Sequence, residues 1–205
     1  MLHNIQLIVA THNADKLCEI RAILQDLPIM ICSQAEAGWD GDVEETGDSF
    51  PANALIKARA IHEAFPEAYV LADDSGLCVD ALGGAPGIYS ARFADTETDY
   101  PKKFRRLWTM LSSVDPGDWT ARYICAMAVV RPDGSDFVTV GQMPGRLIDR
   151  PAGKHGFGYD PIFYLDEAGM TAAQLEPDVK NRCSHRYFAL CKVRNRLACE
   201  LPVVI

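Results

Sequence analysis

An apolar run, Tyr69-Val70-Leu71-Ala72, leads directly into Asp73-Asp74-Ser75-Gly76-Leu77. Gly83-Gly84-Ala85-Pro86-Gly87 and Ser90-Ala91-Arg92 follow closely. A short continuous apolar run is what a strand buried on both faces looks like. Ending such a strand in two carboxylates, a hydroxyl and a glycine puts charge at a strand end. That is where a metal and a polyphosphate meet in many α/β enzymes. Asp, Ser and Gly also favour surface turns on their own account. The choice between a turn and a site therefore rests on whether other polar segments ask for the same ligand.

The surrounding pattern predicts alternating strands and helices. Ile5 to Ala10 reads as a first strand, and Leu17, Ile20, Ile23 and Leu24 mark an amphipathic helix capped by Thr11 or Asn13. Ile29 to Cys32 reads as a second strand and Trp39 to Asp48 as an acidic loop. Ser49 opens a helix running to about Ala64. A helix from Tyr100 to Leu111 ends before a Pro116-Gly117 break. Ala121–Val130 and Asp136–Gly141 read as paired strands, because Asp133-Gly134 between them is a strong hairpin signal. Ser184 starts a terminal helix reaching about Leu201. This order predicts a mixed α/β sheet flanked by helices. The 205 residues suit one domain, 1–205, with room for two lobes.

Composition narrows the partners. A net charge of −8 argues against nucleic acid and anionic membranes, both of which favour basic surfaces. It leaves room for a small anion, whose charge a local basic cluster and a divalent cation can offset. No apolar stretch approaches the roughly 20 residues of a spanning helix. Met1-Leu2-His3-Asn4-Ile5 has neither a basic leader nor a small-residue cleavage site, so a cytoplasmic location is expected. The seven cysteines are odd in number, scattered through apolar segments and never spaced Cys-x-x-Cys, which suits a reducing compartment.

Four polar blocks carry candidate chemistry. Thr11-His12-Asn13-Ala14-Asp15-Lys16 lies between a strand and a helix. The helix N-terminus and Lys16 there favour an anion, while the same residues serve equally as helix caps. In the second block, Glu44-Glu45-Thr46-Gly47 precedes a helix whose Phe50, Asn53 and Lys57 share one face. Lys57 is either solvated or turned inward, where it needs a counter-charge such as phosphate. Glu45 is a candidate oxygen ligand for a divalent metal. In the third block, Asp73 and Asp74 point to opposite sides of their strand. Asp74 is assigned to the site as general base, metal ligand or both, and Asp73 to a supporting role. The fourth block joins Gly156-Phe157-Gly158-Tyr159-Asp160-Pro161 with Lys180 and Ser184-His185-Arg186. Phe157 suits stacking on a purine, or else a place as a core aromatic on a strand.

These segments, in this order, resemble the Ham1/inosine triphosphate pyrophosphatase family. The matching stretches are Ala10 to Lys16, Glu45 to Phe50 with Asn53-Ala54 and Lys57-Ala58, Ala72 to Leu77, Leu82 to Arg92, Gly156 to Phe163, and Ser184-His185-Arg186. They span nearly the whole chain. The resemblance implies an elongated mixed β-sheet with two lobes and a central substrate cleft, in a homodimeric enzyme dependent on Mg2+. It implies cleavage of inosine, deoxyinosine and xanthosine triphosphates to the monophosphate and pyrophosphate. Thr11, Asn13 and Lys16 would meet the phosphates, with His12, Ala14 and Asp15 in the same loop and Asn53 and Lys57 beside it. Glu45 and Asp74 would hold the magnesium, with Asp74 as proton acceptor. Ser75, Phe157, Gly158, Tyr159, Asp160, Lys180, His185 and Arg186 would contact the substrate, the last two as readers of the base edge. Family members often carry glycine where this chain has His12 and Asp15.

Overall fold

The computed structural model describes residues 5–96 and 98–201, with the side chain of Asp15 outside the described residues. The N-terminal tetrapeptide on which the location was read lies outside them too. In chain order the elements are β1 (Ile5–Ala10), α1 (Ala14–Leu24), β2 (Ile29–Ser33), α2 (Phe50–Ala64), β3 (Tyr69–Val79), α3 (Tyr100–Met110), β4 (Thr120–Val130), β5 (Asp136–Leu147), β6 (Phe163–Leu165), β7 (Met170–Thr171), α4 (Pro177–Cys183) and α5 (His185–Glu200). The described strands form a seven-stranded sheet in the order β2-β1-β3-β4-β5-β6-β7. β1 runs parallel to β2 and β3, whereas β5–β6 and β6–β7 are antiparallel, so the sheet is mixed as expected.

By their contacts the described residues divide into two compact units, 5–74, 125–141 and 186–201 in the first and 75–96, 98–124 and 142–185 in the second. In the first, Leu7 and Val9 of β1 and Leu71 of β3 cluster with Leu17, Ile20 and Leu24 of α1 and with Leu190, Val193 and Leu197 of α5. The intervening Ile8 is fully buried on the other face, where α2 packs against β1. Helices on both faces explain why β1, Gln6 apart, and the start of β3 read as apolar runs. Each large side chain buried this way is worth about 1.5–3 kcal/mol.

In the second unit, Phe104 and Leu107 of α3 pack with Leu77, Val79, Trp119, Tyr123 and Phe163. The Asp99 side chain caps α3 by accepting the Lys102 N–H at 2.9 Å. Ser90 pins the glycine-rich loop to β3, accepting the Leu77 N–H at 2.9 Å and donating to the Gly87 carbonyl at 2.6 Å. Lys103, fully buried, donates to the Ala91 carbonyl at 2.6 Å and lies over the Tyr100 ring.

The main departure from expectation is the length of β3. The sequence predicts a strand ending at Ala72, yet β3 runs on through Asp73-Asp74-Ser75-Gly76 to Val79. Turn preference in Asp and Ser comes from side chains that bond to nearby backbone. Here the carboxylates of Asp73 and Asp74 are engaged by Lys16 and Asn53 instead, so that competition is lost. Pairing with β1 does stop at Ala10↔Ala72. The carboxylates thus lie just beyond the carboxyl end of a parallel strand pair.

Candidate active site

The first unit builds a charged cluster around that strand end. Leu71 faces α1 and α5, so alternation sends Asp73 the same way and Asp74 toward α2. Asp73 is buried and receives the Lys16 ammonium on both oxygens, at 3.0 and 2.9 Å. Arg186 Nε lies 3.9 Å from it, and Arg186 Nη1 bonds Glu19 at 3.1 Å. Asp74 accepts from Asn53 Nδ2 at 3.1 Å, and Asn53 Oδ1 in turn accepts the Gly47 N–H at 2.8 Å. A Cβ on Gly47 would lie 2.7 Å from that Oδ1, so only glycine lets the loop approach so closely.

Lys57 turns inward, as its place on the Phe50–Asn53 face allows. It donates to the Asp73 carbonyl and pairs with Glu45 at 3.0 Å. The counter-charge expected from phosphate is supplied here by a carboxylate of the chain itself. Asn13, not Thr11, caps α1, its Oδ1 accepting the Lys16 N–H at 3.2 Å. The buried Thr11 accepts the Asn13 N–H at 3.1 Å. Ala14 opens the helix and Asp15 follows it, with its side chain outside the described residues. His12 is exposed and meets the Gln34 amide at 2.8 Å. Thr11, His12, Lys16, Trp39, Glu45, Lys57 and Asp73 are among the walls of a pocket of about 200 Å³.

Electrostatics follow from these contacts. Burial alone would raise the Asp73 pKa, but Lys16, Arg186 and Lys57 outweigh it and hold this carboxyl well below the usual range. For Asp74 burial prevails over Lys57 and Asn53, and the charge of Glu45 adds to the upward shift. Burial presses Lys57 toward neutrality, yet Asp73, Asp74 and Glu45 raise its pKa above the ordinary value. Two oxygen donors whose charges repel, Glu45 and Asp74, fit a hard divalent cation that takes one or two carboxylates and completes its shell with water and phosphate. Among the described residues no group of three or more His, Cys, Asp or Glu converges into an all-protein cage.

The second unit builds an aromatic cluster. Asp160 is buried and organises the glycine loop, accepting the Phe157 N–H at 2.8 Å, the Tyr123 hydroxyl at 3.3 Å and the Lys180 ammonium. Lys180 Nζ also sits 5.0 Å over the Phe157 ring. Phe157 is 57% exposed and belongs to no strand, which removes its core alternative. Gly158 adopts φ +70° beside it. His185 stacks on Tyr123 with centroids 4.9 Å apart, and Ser75 is half-buried in β3.

Tyr159 and Arg186, two of the expected substrate residues, are buried. Tyr159, expected to touch substrate, is buried with its hydroxyl on the Ser90 carbonyl at 2.8 Å and its ring against Tyr100. Its part is to seat the loop, because a buried phenol needs a partner. Arg186, expected to read a base edge beside His185, is buried with Glu19 at 3.1 Å and Asp73 at 3.9 Å, the counter-charges that a buried guanidinium requires. Glu19, Gln34, Trp39 and Tyr123 were not anticipated. Glu19 alone left a signal, three residues after Lys16 on the same helix.

Opposed lysines and carboxylates at the carboxyl end of parallel strands, beside a helix N-terminus, are the layout of a phosphate-handling α/β enzyme. The description of the Ham1 family matches residues 7–196. The dITP/XTP pyrophosphatase of Xylella fastidiosa (strain 9a5c) is 45% identical over 196 residues, covering 94% of this chain and 96% of its own. That of Thermoanaerobacter sp. (strain X514) is 42% identical over 190 residues, covering 93% and 95%. The structure of a HAM1 protein from Coxiella burnetii superposes with a TM-score of 0.88 at 36% identity, over 95% of this chain and 98% of that one. The chain belongs to the Ham1 family.

Proposed function

We propose that this chain is a nucleoside-triphosphate pyrophosphatase. It hydrolyses dITP, ITP and XTP to the monophosphate and pyrophosphate, clearing deaminated purines from the nucleotide pool. The observation that carries the reading is the first cluster, where Lys16, Lys57, Glu45 and Asp74 gather at the strand end. The names borne by its relatives agree with it.

In this reading Lys16 and Lys57 offset charge on the phosphates, and Thr11 and Asn13 orient them. Asp74 accepts the proton of a water attacking one phosphorus of the α–β anhydride in line, while Asn53 holds the carboxylate in place. Glu45 and Asp74 would hold Mg2+, which supplies charge neutralisation at the reacting phosphoryl group. Phe157 stacks on the base, Lys180 and Asp160 fix that ring, and His185 or Arg186 donates to the 6-keto oxygen. Ser75 is assigned to the substrate as well. Adenine presents an amino group at position 6, leaving donors opposed at a penalty of about 1–3 kcal/mol. The whole chain acts as one catalytic domain, in a cytoplasmic homodimer.

Incubation with Mg2+ and ITP, dITP, XTP, GTP, ATP or dTTP tests the reading, with pyrophosphate and orthophosphate measured separately. Pyrophosphate from the inosine and xanthosine substrates is the expected result. Orthophosphate release, preference for dTTP, or binding without turnover would each overturn it. Light scattering of the eluted protein tests the dimer.

A further inference from the structure

The functional cluster is internally neutralised. Each lysine that the proposed reaction assigns to phosphate already has a carboxylate: Lys57 has Glu45, and Lys16 has Asp73. The second pair is the more telling. Lys16 is 24% exposed at its side chain and lines the pocket, whereas Asp73 is 5% exposed behind it. The ammonium sits on the boundary between a fixed buried anion and open space. Its contacts of 2.9 and 3.0 Å set two anionic oxygens on one ammonium, a point charge of the kind that also binds phosphate.

We propose that Asp73 is a positioning residue that stands in for phosphate: it holds Lys16 in the empty site and takes it back as pyrophosphate leaves. The inference rests on the reading of Lys16 as a phosphate ligand. Asp73 suits the part because its place does not depend on Lys16. Its peptide carbonyl is held by Lys57 and its carboxylate faces Arg186 from α5. When Lys16 moves to a phosphate oxygen, Asp73 keeps Arg186 as a neighbouring cation.

Exchange of one charge-assisted contact for another lowers the net gain from binding any polyphosphate. Without the internal anion, Lys16 would bind pyrophosphate unopposed. Product would then leave slowly, and product release limits turnover in many enzymes.

The test is calorimetric binding of inorganic pyrophosphate, with nucleotide kinetics alongside. Asp73→Asn keeps the shape and removes the charge. Its affinity for pyrophosphate should rise about tenfold, with kcat and KM for ITP falling together. In Lys16→Gln/Asp73→Asn the gain should vanish. A residue that merely supports the fold gives the opposite sign, so weaker pyrophosphate binding by folded Asp73→Asn overturns the proposal. So does a gain that persists without Lys16. If Lys16→Gln alone leaves pyrophosphate binding and KM unchanged, the reading of Lys16 itself fails, and this inference with it. Should Asp73→Asn not fold, a crystal structure of the wild-type protein with pyrophosphate decides. Lys16 Nζ within hydrogen-bond distance of a phosphate oxygen and parted from Asp73 supports the exchange; Lys16 still on both Asp73 oxygens overturns it.

Discussion

Asp73 and Asp74 are chemically identical neighbours that the strand's alternation drives into opposite electrostatic states. Three cations hold one ionised, and burial beside Glu45 makes the other costly to ionise. Asp74→Asn should lower kcat by about 10²–10⁴-fold, the usual worth of a positioned base, with nucleotide binding retained. The same change should raise the urea midpoint at pH 7, because it removes a carboxylate whose charge burial opposes. Near-normal turnover, or a lower midpoint, would contradict the role given to Asp74. Phe157 offers the complementary case. It is an exposed ring on a loop, so Phe157→Ala should leave the melting temperature unchanged. KM for ITP should rise by an amount corresponding to about 1–3 kcal/mol of lost stacking. An unchanged KM would remove that ring from the site.

At the scale of elements, short backbone features set the geometry of both clusters. The Asn13 cap starts α1 where Lys16 reaches Asp73, and the Ser49 cap starts α2, accepting the Ala52 N–H at 3.4 Å, so that Asn53 and Lys57 face inward. The loop around Gly156 is demanding. Gly156 has φ +72°, and a Cβ there would lie 2.2 Å from Asp160 Oδ2 and 2.8 Å from Lys180 Nζ. Gly156→Ala should therefore displace Asp160 and Lys180 together. The expected loss of stability is of order 1–3 kcal/mol by denaturant titration, with KM for ITP raised as the Phe157 support is lost. Wild-type stability and KM in that variant would show that the loop tolerates the side chain.

For the whole molecule, the charge network makes stability depend on pH in a defined direction. Asp73 has a depressed pKa when folded, so on acidification the unfolded chain takes up its proton first, near the ordinary value of about 3.9. The stability Asp73 contributes is whole above that pH and is lost as pH falls toward the folded pKa. Urea midpoints measured from pH 2 to pH 7 should fall steeply below about pH 4 in the wild type and less steeply in Asp73→Asn. Parallel curves would mean that other carboxylates govern acid unfolding.

Much of this architecture was legible from residues alone. β1 begins and ends where its apolar run does, α2 follows its serine cap, and the inward face of Phe50, Asn53 and Lys57 follows from helical spacing. These features depend on local periodicity and capping, which a linear chain carries within a few residues. The family was legible for a different reason, since its polar segments keep their order along the chain. What the chain could not disclose alone was which partner each charged group would take. Lys57 needed a counter-charge, and only folding brought Glu45 to it. Arg186 stood beside His185 in sequence but was drawn to Asp73 and Glu19, and Tyr159 was drawn inward to Ser90. The turn-like Asp73-Asp74-Ser75-Gly76 became the middle of a strand once distant lysine and asparagine side chains had claimed its carboxylates. Sequence by itself determined most of the longer elements, their order and the kinds of chemistry present, while β6, β7, α4 and the extension of β3 emerged only in the fold. Tertiary structure decided the pairings, because a buried charge or hydroxyl must take its partner from whatever the fold brings within hydrogen-bond reach, regardless of distance along the chain.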